Sequence, residues 1–262
     1  MTVPSRAESA PPALQRPLHD AHVHLDYMAD GAAVAAQAAE EDYLLFSNTV
    51  TPEGFFAARD ELGSFPNVRI GLGLHPWHIG PADALDHVID RFTRLVCETR
   101  FVGEVGLDFG KRHVQTADAQ LRAFCAVAEA CAAQGGKVVS IHAVKAARYV
   151  LDILEESGAL GNCTCVLHWY SGPSDELARA IAAGCRFSIG PRMLATKRGR
   201  EYAKAIPAGQ ILFETDAPPA YGEAYTFADL QAELDQAASS IAAIKGPSAI
   251  ERIQETARAV LL

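Results

Sequence analysis

The chain has 262 residues, of which 49% are apolar and 21% are charged, and this composition excludes a disordered, collagen-like or low-complexity protein. It carries 23 basic and 32 acidic residues, and the net charge of −9 excludes a broad basic surface that binds nucleic acid by neutralising many phosphates. An enzyme with a small local site remains compatible with this charge. No apolar run approaches the roughly 20 residues that cross a bilayer, so we expect no membrane partner.

The first residues are rich in proline and alanine and lack the apolar segment of a signal peptide. We therefore expect residues 1–17 to form a flexible lead-in and residues 18–262 to form a single domain. Without export, the protein is expected to be cytoplasmic and its six cysteines are expected to stay reduced. The oligomeric state is left open by the sequence, and a monomer is compatible with it.

Short runs rich in valine, isoleucine, leucine and phenylalanine alternate with longer amphipathic runs along the chain. Because the short runs are almost continuously apolar, they are typical of parallel strands that are buried on both faces. The eight predicted strands lie at residues 18–25, 43–50, 68–75, 101–108, 137–144, 163–170, 185–191 and 210–216.

The intervening runs have helical spacing. In the first clear case, residues 81–99, the apolar positions Leu85, Ile89, Phe92 and Val96 recur at intervals of three and four. Further helices are predicted at 118–133, from Asp175 onward, at 226–244 and at 248–261. The segment Lys245-Gly246-Pro247 between the last two is a helix stop signal.

Eight strands, each followed by a helix, predict an α/β protein that forms a single-domain (β/α)8 TIM barrel. The alternative is a doubly wound open sheet. That fold usually carries a glycine-rich phosphate loop after its first strand, whereas the first strand here ends in HVHLD. The sequence therefore favours the barrel.

In such a barrel the catalytic residues lie at the carboxyl ends of the strands. The polar residues at these ends are His22, His24, His75, Glu104, Asp108, His142, His168, Glu214 and Asp216. His22 and His24 are two residues apart on one strand, so both side chains are expected on the same face. A buried imidazole pair without a metal or carboxylate partner is costly, and the pattern therefore predicts a divalent metal site.

Imidazole and carboxylate ligands together suit zinc, manganese, nickel or iron, and magnesium less clearly. Six such groups exceed the four ligands of one tetrahedral zinc, so we expect two divalent ions that share a bridging carboxylate. Glu104 is the expected bridge, because its strand lies between the strand of His22 and the strands of His142 and His168. Asp216 could bind one ion and accept a proton from an attacking water, which makes Asp216 and Glu104 the predicted catalytic residues.

Six segments together resemble the TatD-type metal-dependent hydrolases of the amidohydrolase superfamily. These segments are DAHVHLD (20–26), GLGLHPW (71–77), GEVGLDF (103–109), SIHAV (140–144), LHWYSG (167–172) and ETDAPP (214–219). The resemblance implies a (β/α)8 barrel and a metal-dependent deoxyribonuclease, often a 3′-to-5′ exonuclease, with DNA as its substrate. By position it also implies one set of metal ligands, with Glu104 as the bridge and Asp216 as the general base: His22, His24, Glu104, His142, His168 and Asp216.

The sequence departs from this family at three places. An arginine that often follows the strand-five histidine is missing after His142, the usual His-Cys-Phe is replaced by His168-Trp169-Tyr170, and the segment 255–262 lacks the usual asparagine. These changes affect phosphate binding and substrate choice. Two alternatives therefore stay open: a hydrolase of the same superfamily that acts on a small ester, amide or phosphoester, and a non-catalytic metal-binding scaffold.

Three residues near the strand ends are candidates for substrate binding. Trp77 could stack on a base, His75 could donate a hydrogen bond to a phosphate oxygen, and Arg192 could contact a phosphate. The alternative for His75 and Trp77 is a packed loop over the barrel mouth. Asp108 is expected to orient a ligating imidazole, and the basic segments 111–113 and 197–200 are weaker phosphate candidates.

Overall fold

The computed structural model of the protein describes residues 17–80 and 82–262, with no side-chain description for residues 82–84. The expected lead-in, apart from residue 17, lies outside the described residues, as does the first residue of the predicted helix 81–99. No helix in the described part of the chain is long and apolar enough to cross a membrane.

Eight parallel strands follow one another around the sheet in sequence order, and each is paired with its neighbour in the chain. The strands are Asp20–Val23 (β1), Leu45–Asn48 (β2), Val68–Leu74 (β3), Phe101–Asp108 (β4), Val138–Val144 (β5), Thr164–His168 (β6), Arg186–Ile189 (β7) and Ile211–Phe213 (β8). This order confirms the predicted (β/α)8 architecture.

Helices cover the outside of the sheet and connect its strands. The α-helices of the described residues are Gly31–Glu40 (α1), Pro52–Leu62 (α2), Ala82–Leu95 (α3), Ala117–Gln134 (α4), Ala147–Glu156 (α5), Ala159–Asn162 (α6), Ser174–Ala182 (α7), Pro191–Leu194 (α8), Lys197–Ala205 (α9), Phe227–Lys245 (α10) and Ser248–Leu261 (α11). Short 3-10 helices lie at Leu25–Tyr27, Pro76–His78, Val96–Glu98, Val114–Thr116 and Ala208–Gln210.

The longest helix, α10, shows how local chemistry sets the boundaries. It begins with a reciprocal capping box, in which Asp229 N donates to Thr226 Oγ1 (3.2 Å) and Thr226 N donates to the Asp229 carboxylate (2.9 Å). It ends at Gly246, whose φ of 88° favours a residue without a side chain. The sequence therefore predicted both ends of this helix to within one or two residues.

Apolar side chains from six strands fill the amino-terminal end of the barrel. They pack against the last turns of α11 and comprise Ala21, Phe46, Phe101, Val138, Val166 and Leu212. On β5, His142 is four residues beyond Val138, and on β6, His168 is two residues beyond Val166. Because strand side chains alternate with period two, these histidines point to the same inward side of the barrel as Val138 and Val166. They lie nearer the carboxyl ends of the strands.

The first and last strands meet through backbone and side-chain hydrogen bonds. Asp216 N donates to His22 O (2.9 Å), and His24 N donates to Ala217 O (2.8 Å). The fully buried Asp20 carboxylate accepts hydrogen bonds from Thr215 Oγ1 (2.7 Å) and Thr215 N (3.2 Å). These contacts join β1 to the segment after β8 and nearly close the barrel.

β8 is shorter than the predicted strand 210–216, because the chain leaves the sheet after Phe213. Asp216 adopts a left-handed backbone conformation with φ of 52°, which is incompatible with an extended strand. Glu214 and Asp216 therefore lie directly after the strand and at its carboxyl end.

Removal of the Thr215 hydroxyl tests this closure. We expect Thr215→Val to lower the free energy of unfolding by about 1–3 kcal/mol, because the buried Asp20 oxygen loses its donor while the shape of the side chain is kept. Urea denaturation measures the change. Thr215→Ser, which keeps the hydroxyl, is the matched control, and equal losses in the two variants would show that the hydrogen bond does not stabilise the closure.

Candidate metal centre at the carboxyl end of the barrel

The barrel brings all six predicted metal ligands together at its mouth, the end formed by the strand carboxyl termini. We call His22, His24, Glu104, His142, His168 and Asp216 the histidine–carboxylate cluster. His22 Nε2 and His24 Nε2 are 3.2 Å apart, and each lies 3.5–3.6 Å from an oxygen of Glu104 and of Asp216. His142 Nδ1 and His168 Nε2 are each 2.8 Å from Glu104 Oε1.

Glu104 lies at the centre of the cluster, and its two oxygens face different partners. Oε2 faces His22 and His24, and Oε1 faces His142 and His168. Burial opposes its ionisation, but nearby His75 and His168, with hydrogen bonds from His142 and His168, hold the pKa of Glu104 well below its usual range. The carboxylate is therefore ionised and faces one histidine pair with each oxygen, as a bridging ligand must.

The position of Glu104 depends on the glycine before it. A Cβ on Gly103 would lie 2.0 Å from Asn48 Oδ1 and 2.9 Å from the Ser140 Cβ. Because these atoms belong to side chains of β2 and β5, a larger residue at this position fits only if Asn48 and Ser140 move. The glycine of the GEVGLD segment therefore brings the β4 backbone close to its neighbours.

In three of the four imidazoles of the cluster, the nitrogen turned away from the cluster is hydrogen-bonded to a protein oxygen. The pairs are His22 Nδ1 with Ser140 Oγ (2.7 Å), His24 Nδ1 with Asn48 O (2.7 Å) and His142 Nε2 with Asp108 Oδ2 (3.3 Å). His168 Nδ1 lies 3.7 Å from Glu214 Oε2, beyond hydrogen-bond distance. Metal-binding histidines characteristically have such outer partners, which fix the tautomer and the ring orientation.

His24 gives the most direct test of whether a cation fits. Its Nδ1 faces a backbone carbonyl, which can only accept, so Nδ1 carries a proton and Nε2 of the neutral ring presents a lone pair. That lone pair lies 3.2 Å from His22 Nε2 and 3.5 Å from both Glu104 and Asp216. Only a proton or a metal cation makes this arrangement favourable, so the residues fit a divalent ion.

The pKa values agree with this interpretation. Burial lowers the pKa of His24, but hydrogen bonds to Asp216 and Glu104 outweigh it and raise the pKa to about 10. Burial lowers the pKa of the neighbouring His22 to about 4. The two carboxylates therefore attract one positive charge to this pair of rings, and the set of four nitrogen and two oxygen ligands suits zinc, manganese or nickel.

Asp216 is ionised at neutral pH. Burial acts to raise its pKa, but the hydrogen bond with His24 and the charge of His168 lower it to about 2. Its side chain keeps 21% of its surface exposed toward the cavity. Arg192 Nη1 lies 3.6 Å from Asp216 Oδ2 and donates to the Asp216 carbonyl (3.3 Å).

His75 lies beside the cluster, where the sequence placed a substrate contact. Its Nδ1 accepts a hydrogen bond from Trp77 N (3.1 Å), so the proton of the neutral ring is on Nε2, which lies 3.2 Å from Glu104 Oε1. Burial lowers the pKa of His75 to about 4, which keeps the ring neutral. These contacts favour a role in orienting Glu104, and a contact between His75 and a phosphate stays a prediction.

Trp77 connects the surface of the mouth to His142 through Asp108. Its ring is 57% exposed, is stacked on His113 with centroids 4.9 Å apart, and donates from Nε1 to Asp108 Oδ2 (2.6 Å). The same Asp108 oxygen faces His142 Nε2. Asp108 therefore occupies the predicted position of a residue that orients an imidazole.

The cluster opens into a cavity of about 690 Å³, within the usual range for small-ligand sites. Arg192 is the only arginine or lysine among the described residues that line it. In the basic segment 197–200, Arg198 donates to Gly172 O and Arg200 donates to Leu194 O (2.8 Å), so these two side chains stabilise the fold.

Three groups that surround the histidine–carboxylate cluster were not assigned a role from the sequence. Ser140 and the Asn48 carbonyl orient His22 and His24. The buried Glu214 accepts hydrogen bonds from Ser188 Oγ and from Trp169 N (3.0 Å), and it holds Trp169 at an unusual φ of 38°. The only signal for Ser140 was its position two residues before His142, on the same face of β5.

A Glu104→Gln substitution tests the metal centre. We expect the variant to bind Mn²⁺ and Zn²⁺ at least about 10- to 100-fold more weakly, which is the loss typical of changing even an outer partner of a ligand. Isothermal titration with each metal measures the affinity. Glu98→Gln, at a surface ion pair with Arg59, is the control, and unchanged affinity in Glu104→Gln would exclude Glu104 as a ligand.

A family model described as TatD related DNase matches residues 19–261. Human "Deoxyribonuclease TATDN3" is 29% identical over 162 residues, 61% of this chain and 58% of that protein. The "3'-5' ssDNA/RNA exonuclease TatD" of Escherichia fergusonii is 30% identical over 167 residues, 59% of each protein. The matches thus span about three fifths of the length of these two curated relatives.

Solved structures show the same fold. YJJV, a TatD homolog from Escherichia coli k12, aligns with a TM-score of 0.70 and 17% identity over 93% of this chain and 97% of that chain. A hydrolase TatD family protein from Entamoeba histolytica aligns with a TM-score of 0.73 and 16% identity over 94% and 97%. With the family model matching almost the whole sequence, the chain belongs to the TatD-related DNase family.

Proposed function

We propose that the protein is a divalent-metal-dependent nuclease that hydrolyses phosphodiester bonds of single-stranded DNA from the 3′ end. The observation that carries this proposal is the assembly of four imidazoles and two carboxylates around the two oxygens of Glu104, at the mouth of a barrel of this family. The names of the relatives, a deoxyribonuclease and a 3'-5' ssDNA/RNA exonuclease, support the choice of substrate.

Two divalent ions fit the arrangement. His22, His24 and Asp216 would hold one ion, and His142 and His168, whose Nδ1 and Nε2 atoms are 3.5 Å apart, would hold the other, with Glu104 shared between the two sites. When bound, such ions polarise the phosphate and lower the pKa of a water molecule. The candidates are zinc, manganese, nickel and magnesium, and the nitrogen-rich set of donors favours the first three.

The protein's own side chains supply orientation and proton transfer. The ionised Asp216 carboxylate faces the cavity and would orient the attacking water and accept its proton. Arg192, next to Asp216, would contact a phosphate oxygen. Trp77 presents an exposed ring on which a base would stack. Its indole N–H donates a hydrogen bond to the Asp108 carboxylate, which faces His142.

Neither alternative from the sequence is favoured. A hydrolase of small esters or amides has no support among the named relatives, which are nucleases. A non-catalytic scaffold would have no need of a complete set of ligands with their outer partners, and all six predicted ligands lie together here.

Replacement of Asp216 tests the mechanism. We expect wild-type protein loaded with manganese or zinc to shorten a 5′-labelled single-stranded oligonucleotide stepwise from its 3′ end. Asp216→Asn is expected to lower kcat by about 10²–10⁴-fold, the usual contribution of a positioned acid or base. Asp86→Asn, at an exposed pair with Arg122, serves as the control.

The same metal-loaded proteins are also assayed on a panel of small esters, amides and phosphoesters. Turnover of one of these compounds while the oligonucleotide stays intact would exclude the nuclease proposal. Full activity of Asp216→Asn, with its circular dichroism spectrum unchanged, would exclude the proposed role of Asp216.

The response to salt tests how the strand is held. With Arg192 as the only arginine or lysine among the described residues that line the cavity, log KM should rise with log [NaCl] with a slope of about 0.7, the value for one phosphate contact on a single strand. Arg192→Gln should raise KM and reduce this slope, and Arg59→Gln, at the surface, should change neither. A slope several times larger would show that further cations bind the backbone.

A further inference from the structure

The loop after β8 presents an aromatic ring that the sequence had not singled out. Tyr221 is 78% exposed, the highest value for any large aromatic side chain in the described part of the chain. Its ring lines the same cavity as Asp216 and Arg192. An aromatic ring that is left this exposed at the edge of a candidate active site gains free energy when another flat apolar group covers it.

The backbone that follows Tyr221 is anchored. Gly222 N donates to Tyr27 O (2.7 Å), and Ala29 N donates to Glu223 O (3.1 Å), so the loop pairs with the segment that follows β1. Tyr221 is therefore exposed although its neighbours are held by the barrel. A ring on a fixed backbone loses little conformational entropy on binding.

Two ring contacts connect Tyr221 to the histidine–carboxylate cluster. Tyr221 makes a T-shaped contact with Tyr27, with centroids 5.2 Å apart, and Tyr27 is stacked on His24 at 5.3 Å. A base that lies on Tyr221 is therefore close to any phosphate bound at the cluster. The cation–π pair of Arg192 with Trp169, at 5.8 Å, is a further aromatic element that lines the cavity.

The charge of the protein shows why stacking is needed. The net charge is −9, and a single arginine is the only cationic lysine or arginine side chain among the described residues lining the cavity. Neutralisation of phosphates therefore contributes little to the affinity for a strand. Stacking of bases on aromatic rings does not depend on charge and is available only to bases with a free face.

We propose that Tyr221 is the platform on which an unpaired base next to the scissile phosphate stacks, and that it thereby helps to select single strands. This inference rests on the proposed nuclease function and assigns it a specificity-determining residue. Duplexed bases are covered by their neighbours on both faces, so they cannot stack on Tyr221 without being unpaired first.

Kinetics on single-stranded oligonucleotides test the platform. We expect Tyr221→Ala to raise KM by about 5- to 150-fold with kcat unchanged, because a stacking contact made equally in the ground state and the transition state changes only binding. Tyr221→Phe should keep the wild-type KM, since the ring remains. Tyr149→Ala, which removes a half-exposed tyrosine ring on α5 that does not line the cavity, should also leave KM unchanged.

An oligonucleotide with abasic residues at its 3′ end provides a second kinetic test of stacking on Tyr221. Tyr221→Ala and wild type should have the same KM on it, because there is no base to stack. A KM that is unchanged in Tyr221→Ala on ordinary strands, or one that rises equally on abasic strands, would overturn the proposal.

Binding measured apart from turnover separates this proposal from the proposed function. Fluorescence anisotropy of a labelled oligothymidylate is measured with manganese-loaded Asp216→Asn and with the Asp216→Asn/Tyr221→Ala double variant. If no oligonucleotide is cleaved by wild type but the double variant binds more weakly, the nuclease function fails and the platform stands. Equal binding by the two proteins overturns the platform, whether or not the wild type cleaves.

Discussion

The Glu104 carboxylate is the group around which the rest of this structure is arranged. It is buried at the mouth of the barrel and lies within 3.5 Å of an imidazole nitrogen of His22, His24, His75, His142 and His168. A buried, ionised carboxylate is costly unless it is paired, and five imidazoles from β1, β3, β5 and β6 or the residues directly after them meet that requirement. A site that depends on four different strands can exist only if the barrel closes.

The interior of the barrel is apolar at one end of its axis and polar at the other. Apolar side chains such as Phe46 and Phe101, whose ring centroids are 5.3 Å apart, fill the amino-terminal end, and the histidine–carboxylate cluster lies at the carboxyl end. Gly103 lets β4 approach its neighbours closely enough for Glu104 to reach the centre. The outer oxygen partners of the imidazoles then fix the ring orientations, so the cluster is already organised in the protein itself.

Much of this could be predicted from the sequence, because strand periodicity and the polar residues at strand ends are local signals. The eight strands, the grouping of the six cluster residues at the barrel mouth and the central position of Glu104 were accessible in this way. The hydrogen bonds of Ser140, Glu214 and Asn48 were not, since they join side chains from different strands and leave no periodic pattern. His75 shows the same limit, because its tautomer is set by the backbone N–H of Trp77.

The hydrogen bonds that join β1 to the segment after β8 have a consequence for the synthesis of the protein. Asp20 and Thr215, which these bonds connect, are 195 positions apart in the chain, and the flanking hydrogen bonds connect His22 to Asp216 directly. His22 and His24 leave the ribosome long before Asp216 does. A nascent chain therefore carries two imidazoles of the histidine–carboxylate cluster without the rest of it, and the cluster assembles only when the last strand has been translated and docked.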